Sequence, residues 1–148
     1  MTTIAFDGKT LAADTLVTSG AHSGVLFAPA RKIRRLPDGS FAGVAGSAAM
    51  LETVLVWLER TGGLGPDTPH CPPGQSWQVL HIKAGKAYLR TGADPQPIEV
   101  NSPAAIGSGG GIALGAMLAG KPAEEAVRIA AKADAATGNE IDSIEVAA

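Results

Sequence analysis

Aromatic residues make up only 4% of the 148-residue chain: three Phe, two Trp and one Tyr. A core must therefore come mainly from Ala, Val, Ile and Leu. Cysteine is nearly absent too. Cys71 stands alone, which excludes an internal disulfide framework and suits a reducing compartment. Neither sign of charge dominates, since 12 Lys and Arg against 14 Asp and Glu leave a net charge of −2. No global field then favours nucleic acid or an anionic membrane. No stretch approaches the roughly 18 apolar residues of a membrane span. The N-terminus lacks a basic segment leading into an apolar one, so no secretory signal is expected. These absences leave a soluble, cytoplasmic protein with residues 1–148 as a single domain. A chain of this length buries about 70% of its unfolded surface.

Glycine is abundant, at 19 of 148 residues, within a chain that is 45% hydrophobic and 18% charged. Backbone layers can pack closely in such a sequence. Residues 3–6 (Thr-Ile-Ala-Phe) and 9–13 (Lys-Thr-Leu-Ala-Ala) flank Asp7-Gly8, a strong hairpin signal. A two-residue Asp7-Gly8 loop would pair Phe6 with Lys9, Ile4 with Leu11 and Thr2 with Ala13. Asp14 then lies one residue from Thr2 across the ladder. Residues 30–36 and 40–46 form a second expected hairpin around Pro37-Asp38-Gly39. Residues 48–60 read as a helix with Met50, Leu51, Val54, Leu55 and Leu58 on one stripe, stopped by Gly62-Gly63.

Residues 61–76 hold four Gly and four Pro and read as a loop. Strands resume at 78–83 and 86–91 around Ala84-Gly85, followed by a Pro-rich connection at 94–103. The last third is helical: residues 109–119 end at Gly120, and Pro122 opens a helix whose first turn carries Glu124 and Glu125. That helix is expected to run to Gly138, with 141–146 as a final strand. Strands, helix, strands and two helices define an α+β layered domain.

Several residues in this frame are able to carry chemistry. Ala123, Ala126, Val127, Ala130 and Ala131 mark the buried face of the last helix, and Asp134 continues the series with Thr137 three residues on. A carboxylate on a core-facing stripe needs partners. It either caps the helix end or orients groups at a nearby site. The run from Arg31 to Arg35 packs four cations into five positions, by default a solvated edge. A lysine there becomes catalytic only in a desolvated or cation-rich setting, and the neighbouring arginines push Lys32 that way. Residues 106–111 (Ile-Gly-Ser-Gly-Gly-Gly) precede a helix but lack P-loop or dinucleotide spacing, so the glycines are expected to serve close packing. His70-Cys71 has no second ligand pair, so no metal is expected; His22 and His81 have no catalytic context. No cofactor motif is visible.

Six short pieces taken in order narrow the reading. They are Thr2-Thr3-Ile4, Ala12-Ala13-Asp14, Arg31-Lys32-Ile33-Arg34-Arg35-Leu36, Ala42-Gly43-Val44-Ala45-Gly46-Ser47, Ile106-Gly107-Ser108-Gly109-Gly110, and Asp134-Ala-Ala-Thr137-Gly138. In this order, over nearly the whole chain, they make it resemble proteasome β-type and HslV-like threonine peptidases. The resemblance implies a four-layer αββα N-terminal-nucleophile hydrolase sandwich and endopeptidase activity on unfolded polypeptides. It also implies a self-assembled homo-oligomeric ring with an AAA+ unfoldase ATPase as partner, and no nucleic acid or membrane. By the same resemblance Thr2 is the nucleophile once Met1 is removed, its free amine acting as local base. Asp14 and Lys32 match the carboxylate–lysine pair, and Gly46 the backbone donor to the oxyanion. Ser108, Asp134 and Thr137 match the group around the terminal threonine, with Thr137 replacing the usual serine. Val17, Thr18, Ala30, Val44 and Ala48 match the substrate cleft, where an extended peptide adds as a strand and small apolar walls favour an apolar side chain.

Three departures accompany the resemblance. The first hairpin is about two residues shorter in each arm, an even change that keeps each side chain on its face. The loop at 61–76 stands where the family has a second long helix, which implies a compact version of the fold. The C-terminus ends soon after its last strand. Two other readings share these residues: a catalytically inactive ring or scaffold protein, and an amidase of the same fold acting on a small molecule. Retention of Thr2, Asp14 and Lys32 together favours the peptidase.

Overall fold

A computed structural model describes residues 2–19, 24–26, 30–62, 68–92, 96–138 and 140–146. Met1, His22 and Gly63 of the sequence reading lie outside the described residues, as do parts of the two expected loops. Among the described residues the chain runs through β1 (Thr3–Phe6), β2 (Thr10–Asp14), β3 (Val17–Ser19), β4 (Gly24–Leu26), β5 (Ile33–Arg35) and β6 (Phe41–Gly46). It continues through α1 (Ala48–Thr61), β7 (Trp77–Lys83), β8 (Lys86–Thr91), β9 (Ile98–Val100), β10 (Ala104–Gly107), α2 (Gly110–Leu118), α3 (Ala123–Ala133) and β11 (Ile141–Glu145). The fold is mixed, with three helices and two larger antiparallel sheets, ordered β10-β1-β2-β11 and β5-β6-β7-β8-β9, beside a β3-β4 hairpin. No helix among the described residues is long and apolar enough to cross a membrane.

Three apolar clusters follow from strand alternation, which sends successive side chains to opposite faces. Ile4, Phe6, Leu11 and Ala13 of the first sheet pack with Ile33, Leu80 and Ile82 of the second. The intervening Ala5 and Ala12 meet Ala126, Val127 and Ala130 of α3 and Ala113 and Met117 of α2. On the second sheet, Val44 and Val79 meet Val54, Leu55 and Leu58 of α1. The expected α1 stripe is thus the packed one, joined by Trp57, with Leu51 partly buried. Gly62 ends the helix in the left-handed region, its N–H bonded to the Leu58 carbonyl. The two tryptophans meet here: Trp57 and Trp77 lie 6.1 Å apart between ring centres.

The first hairpin corrects the expected register. Observed pairs are Phe6 with Leu11, Ala5 with Ala12 and Ile4 with Ala13. The loop is therefore Gly8-Lys9, with positive φ at Gly8 alone of its two central residues, as a II′ turn requires. Asp7 explains the slip. Its Oδ1 accepts the N–H groups of Lys9 and Thr10 at 2.9 and 2.8 Å, which holds Asp7 outside the loop as its closing residue. The change of register is even, so no side chain changes face.

Other differences lie downstream. The strand β9 forms within the Pro-rich connection, and β10 precedes the glycine run; neither has a side-chain period long enough to announce it. Each is made by backbone pairing to a neighbour distant in sequence or at a sheet edge. The hairpin β3-β4 was likewise unmarked. The last helix stops at Ala133 rather than reaching Gly138, because Asp134 takes an extended φ and ψ and its Oδ1 accepts the Ala136 N–H at 3.2 Å. Pro122 sits one residue before the helix.

Asp7 has a second task. Its Oδ2 accepts the Ala123 N–H at 2.9 Å, capping α3 from another segment of the chain. We expect Asp7→Ala to lower stability by about 1–2 kcal/mol, the range of a lost cap, measured by urea unfolding. A second expectation concerns His81, buried with Nε2 2.8 Å from Ser40 Oγ. The Ser40 hydroxyl donates to Asp38, so Nε2–H is the donor to Ser40. Burial, reinforced by Arg90, pushes the His81 pKa down to about 4 from 6.5. The unfolded chain takes up this proton near pH 6.5 and the folded chain only near 4, so stability falls as pH drops through that window. His81→Gln should flatten that part of the thermal stability profile.

Candidate active site

The ends of β1, β2, β5 and β6 converge at one edge of the two sheets. Asp14, the last residue of β2, is fully buried, and Lys32, two residues after Ala30 and just ahead of β5, is 3% exposed. Lys32 Nζ donates to Asp14 Oδ1 at 2.9 Å and to the Leu16 carbonyl at 2.5 Å, and its third donor meets Thr2 Oγ1. All three ammonium hydrogens are therefore used. The Thr2 hydroxyl in turn donates to Asp14 Oδ1. The carboxylate is further fixed by the Thr3 N–H on Oδ1 at 3.1 Å and the Gly138 N–H on Oδ2 at 3.0 Å.

Burial lowers the Lys32 pKa from 10.5, opposed by the adjacent Asp14 charge and hydrogen bond. The three neighbouring arginines are not the cause, contrary to the sequence expectation. Arg31 and Arg35 are exposed, and Arg34 is paired with Glu59 and Glu52 across the surface of α1. Desolvation acts on a group with no water around it; the arginines keep theirs.

A second polar group adjoins the first. Ser108 Oγ donates to Asp134 Oδ2 at 2.6 Å and reaches the Thr2 carbonyl at 3.4 Å. Thr137 Oγ1 donates to the same Asp134 oxygen at 2.6 Å. Thr3 Oγ1 stands 2.7 Å from Thr137 Oγ1, so Thr3 supplies that link as donor. Burial alone would raise the Asp134 pKa, but the Ser108 and Thr137 hydroxyls and the Ala136 N–H hold it below the usual carboxylate value. Asp134 both caps the helix end and orients these hydroxyls, so its two readings are the same geometry.

Glycines allow this closeness. A Cβ on Gly107, at φ +93°, would lie 1.9 Å from the Thr2 carbonyl oxygen. One on Gly46, at φ +136°, would lie 2.2 Å from the Ser76 carbonyl oxygen. Within the glycine run, Gly107 thus allows backbone packing against Thr2 and Gly109 the close approach of the Thr3 hydroxyl, whereas a Cβ on Gly111 would meet nothing within 4 Å.

Gly46 borders two openings. One is a shallow depression with about 20 Å³ of free space, little more than one water, lined by Thr2, Lys32, Val17, Val44 and Ala48 together with Leu16 and Leu51. Ala30 is not in that lining; its N–H bonds the Thr15 carbonyl at 3.1 Å. Thr18 belongs to β3, and its side chain lies outside the described residues. The other opening is a cleft of about 610 Å³ that reaches Gly107 and Ser108. Leu16, Leu51, Thr3 and Gly138 were missed by sequence reasoning. Leu16 and Gly138 act through the backbone, which leaves no residue-type signal, and Leu51 was assigned to the helix stripe alone.

No protein-family model and no curated protein matches the sequence. Solved structures do match. Eukaryotic HslV from Trypanosoma brucei superposes with a TM-score of 0.73 at 23% identity, covering 97% of both chains. The Thiobacillus denitrificans protein BPH is similar at a TM-score of 0.64 and 23% identity, covering 99% of this chain and 98% of that one. The same protein in complex with epoxomicin gives 0.65 and 22%, covering 99% of both chains. The fold is therefore HslV-like, of the proteasome β type.

A buried pair broken on one side leaves an uncompensated charge. We expect Lys32→Met to cost about 3–5 kcal/mol in urea unfolding, and the double variant Lys32→Met/Asp14→Leu to recover most of that loss.

Proposed function

We propose that this chain is a threonine-type endopeptidase of the four-layer αββα N-terminal-nucleophile kind, in which removal of Met1 exposes Thr2. The observation that carries this reading is the Thr2 hydroxyl held between the buried Lys32 ammonium and the Asp14 carboxylate. Thr3 carries the same side chain but bonds Thr137 instead, so the two threonines are not equivalent.

In the proposed reaction Thr2 Oγ attacks the peptide carbonyl carbon, and its proton passes to the free α-amine of Thr2. The Lys32 ammonium, held by Asp14, stabilises negative charge on Oγ as the proton leaves. The Gly46 N–H receives the carbonyl oxyanion, a contact of the type worth about 3 kcal/mol of barrier. Collapse breaks the C–N bond, and the leaving amine takes the proton from the α-ammonium. Water, deprotonated by the same amine, then hydrolyses the Thr2 ester. Ser108, Asp134 and Thr137 order the backbone around the terminal residue. The depression at Val17, Val44 and Ala48 accepts a small apolar side chain. The proposed enzyme acts as a homo-oligomeric ring, which the fold relationship supports, and its proposed setting is the cytoplasm, with unfolded polypeptides as substrates and an AAA+ unfoldase ATPase as partner.

Intact mass of the purified protein should show loss of Met1. Epoxomicin or a peptide β-lactone should then modify Thr2, and Thr2→Ala should lower fluorogenic peptide hydrolysis by on the order of 10³-fold or more. Met-bearing protein that neither reacts nor hydrolyses peptide would favour the inactive scaffold instead. The pH profile of kcat/KM should rise as the Thr2 α-amine loses its proton and fall at a pH below 10.5, where the buried Lys32 loses its own.

A further inference from the structure

The two openings that share Gly46 differ greatly in size and in what builds them. The depression lies on the Lys32 side of Thr2 and has about 20 Å³ of free space. The cleft lies on the Ser108 side and has about 610 Å³, within the range of small-ligand sites. Its outer wall is the segment 71–76, the end of the stretch 61–76 that the resemblance sets in place of a second long helix. That wall is fixed rather than loose. Cys71 Sγ donates to the Gln75 carbonyl at 2.7 Å, and the Gln75 N–H bonds the Pro72 carbonyl at 3.0 Å. Ser47 N–H bonds the Ser76 carbonyl at 2.9 Å, and the Ser76 N–H returns to Ser47 Oγ at 3.2 Å. These bonds tie the wall to the residue after Gly46.

The opposite wall is equally preformed. Trp77 is 1% exposed, and its indole lies so close to Gly92 that a Cβ there would come within 2.9 Å of Nε1. Among the described residues lining the cleft there is no Asp, Glu, Lys, Arg or His. Proline rings, glycine backbone, the Cys71 thiol and the carboxamides of Gln75 and Gln78 make an uncharged surface.

A carbonyl attacked by Thr2 Oγ with its oxygen at Gly46 N–H has two substituents that must diverge. If the side chain of the acyl half enters the depression at Val44 and Ala48, the leaving half departs past Gly46 toward Ser108. We propose that the cleft walled by residues 71–76 and Trp77 binds the polypeptide on the leaving-group side of the cut, taking uncharged residues there, and that it governs substrate choice more than the depression does. This rests on the peptidase reading of Thr2. The depression has room only for a small side chain, so discrimination falls to the larger surface.

Cys71 gives direct access to a test, because it is the chain's one cysteine. Two substrate types are compared on the Met1-processed protein: a peptide aminocoumarin amide, with no residues beyond the cut, and an internally quenched peptide extended by four uncharged residues. The extended peptide should have at least tenfold higher kcat/KM, and extension by acidic or basic residues should remove that advantage. Filling the cleft by alkylating Cys71 with N-phenylmaleimide, or by Gln78→Trp on β7, should lower the ratio of extended to coumarin kcat/KM at least fivefold. Unchanged thermal unfolding checks that each form is folded. The acyl-enzyme should also partition to added neutral amino-acid amides in preference to charged ones, and lose that preference when the cleft is filled. Equal kcat/KM for both substrates, or a ratio that filling leaves unchanged, would overturn the proposal while Thr2 acylation stands. Absence of any Thr2 acylation overturns the peptidase reading and this inference with it.

Discussion

The structure depends on one buried ion pair. Removing an ammonium and a carboxylate from water costs several kcal/mol each, and their attraction offsets that only when every donor and acceptor is satisfied. Here Lys32 places its three hydrogens on Thr2, Asp14 and Leu16, and Asp14 accepts from Thr2, Thr3, Lys32 and Gly138. Those partners come from β1, β2, the approach to β5 and the turn after α3. The pair can therefore form only when both sheets and the last helix are in place. The Thr2 hydroxyl at its centre is thereby held next to a cation.

The chain economises on everything around that centre. The first sheet packs on α2 and α3 mainly through alanine, so sheet and helices approach closely there without aromatic bulk. Asp7 serves two elements, closing the first hairpin with one oxygen and capping α3 with the other. Asp134 ends α3 and gathers two hydroxyls in the same way. Each shared carboxylate couples a local turn to a distant segment, so the edge carrying Thr2 is braced from both sides.

Much of this was legible in the sequence. The α1 and α3 stripes follow helical spacing, and both Gly-containing turns around residues 37–39 and 84–85 appear where turn chemistry put them. The hairpin loop at Asp7 was displaced by one position because the same dipeptide can close a turn or form it. That choice was made by the Asp7 side chain capturing two N–H groups, together with its bond to α3. The short strands β3, β9 and β10 had no legible period, since three or four residues cannot display one.

The sequence by itself determined which residues were available: a threonine beside the N-terminus, one aspartate and one lysine in the right segments, and glycines where backbone would have to meet backbone. The resemblance had singled out Thr2, and the tertiary structure sets the Thr2 hydroxyl against Lys32 while that of Thr3 turns to Thr137. It also assigned the Lys32 shift to burial rather than to its arginine neighbours. Adjacency in sequence is not adjacency in dielectric: Arg31 and Arg35 face water, and Lys32 does not. Desolvation, the strongest influence on this site, is a property of packing from distant segments, and no local stretch of residues can display it.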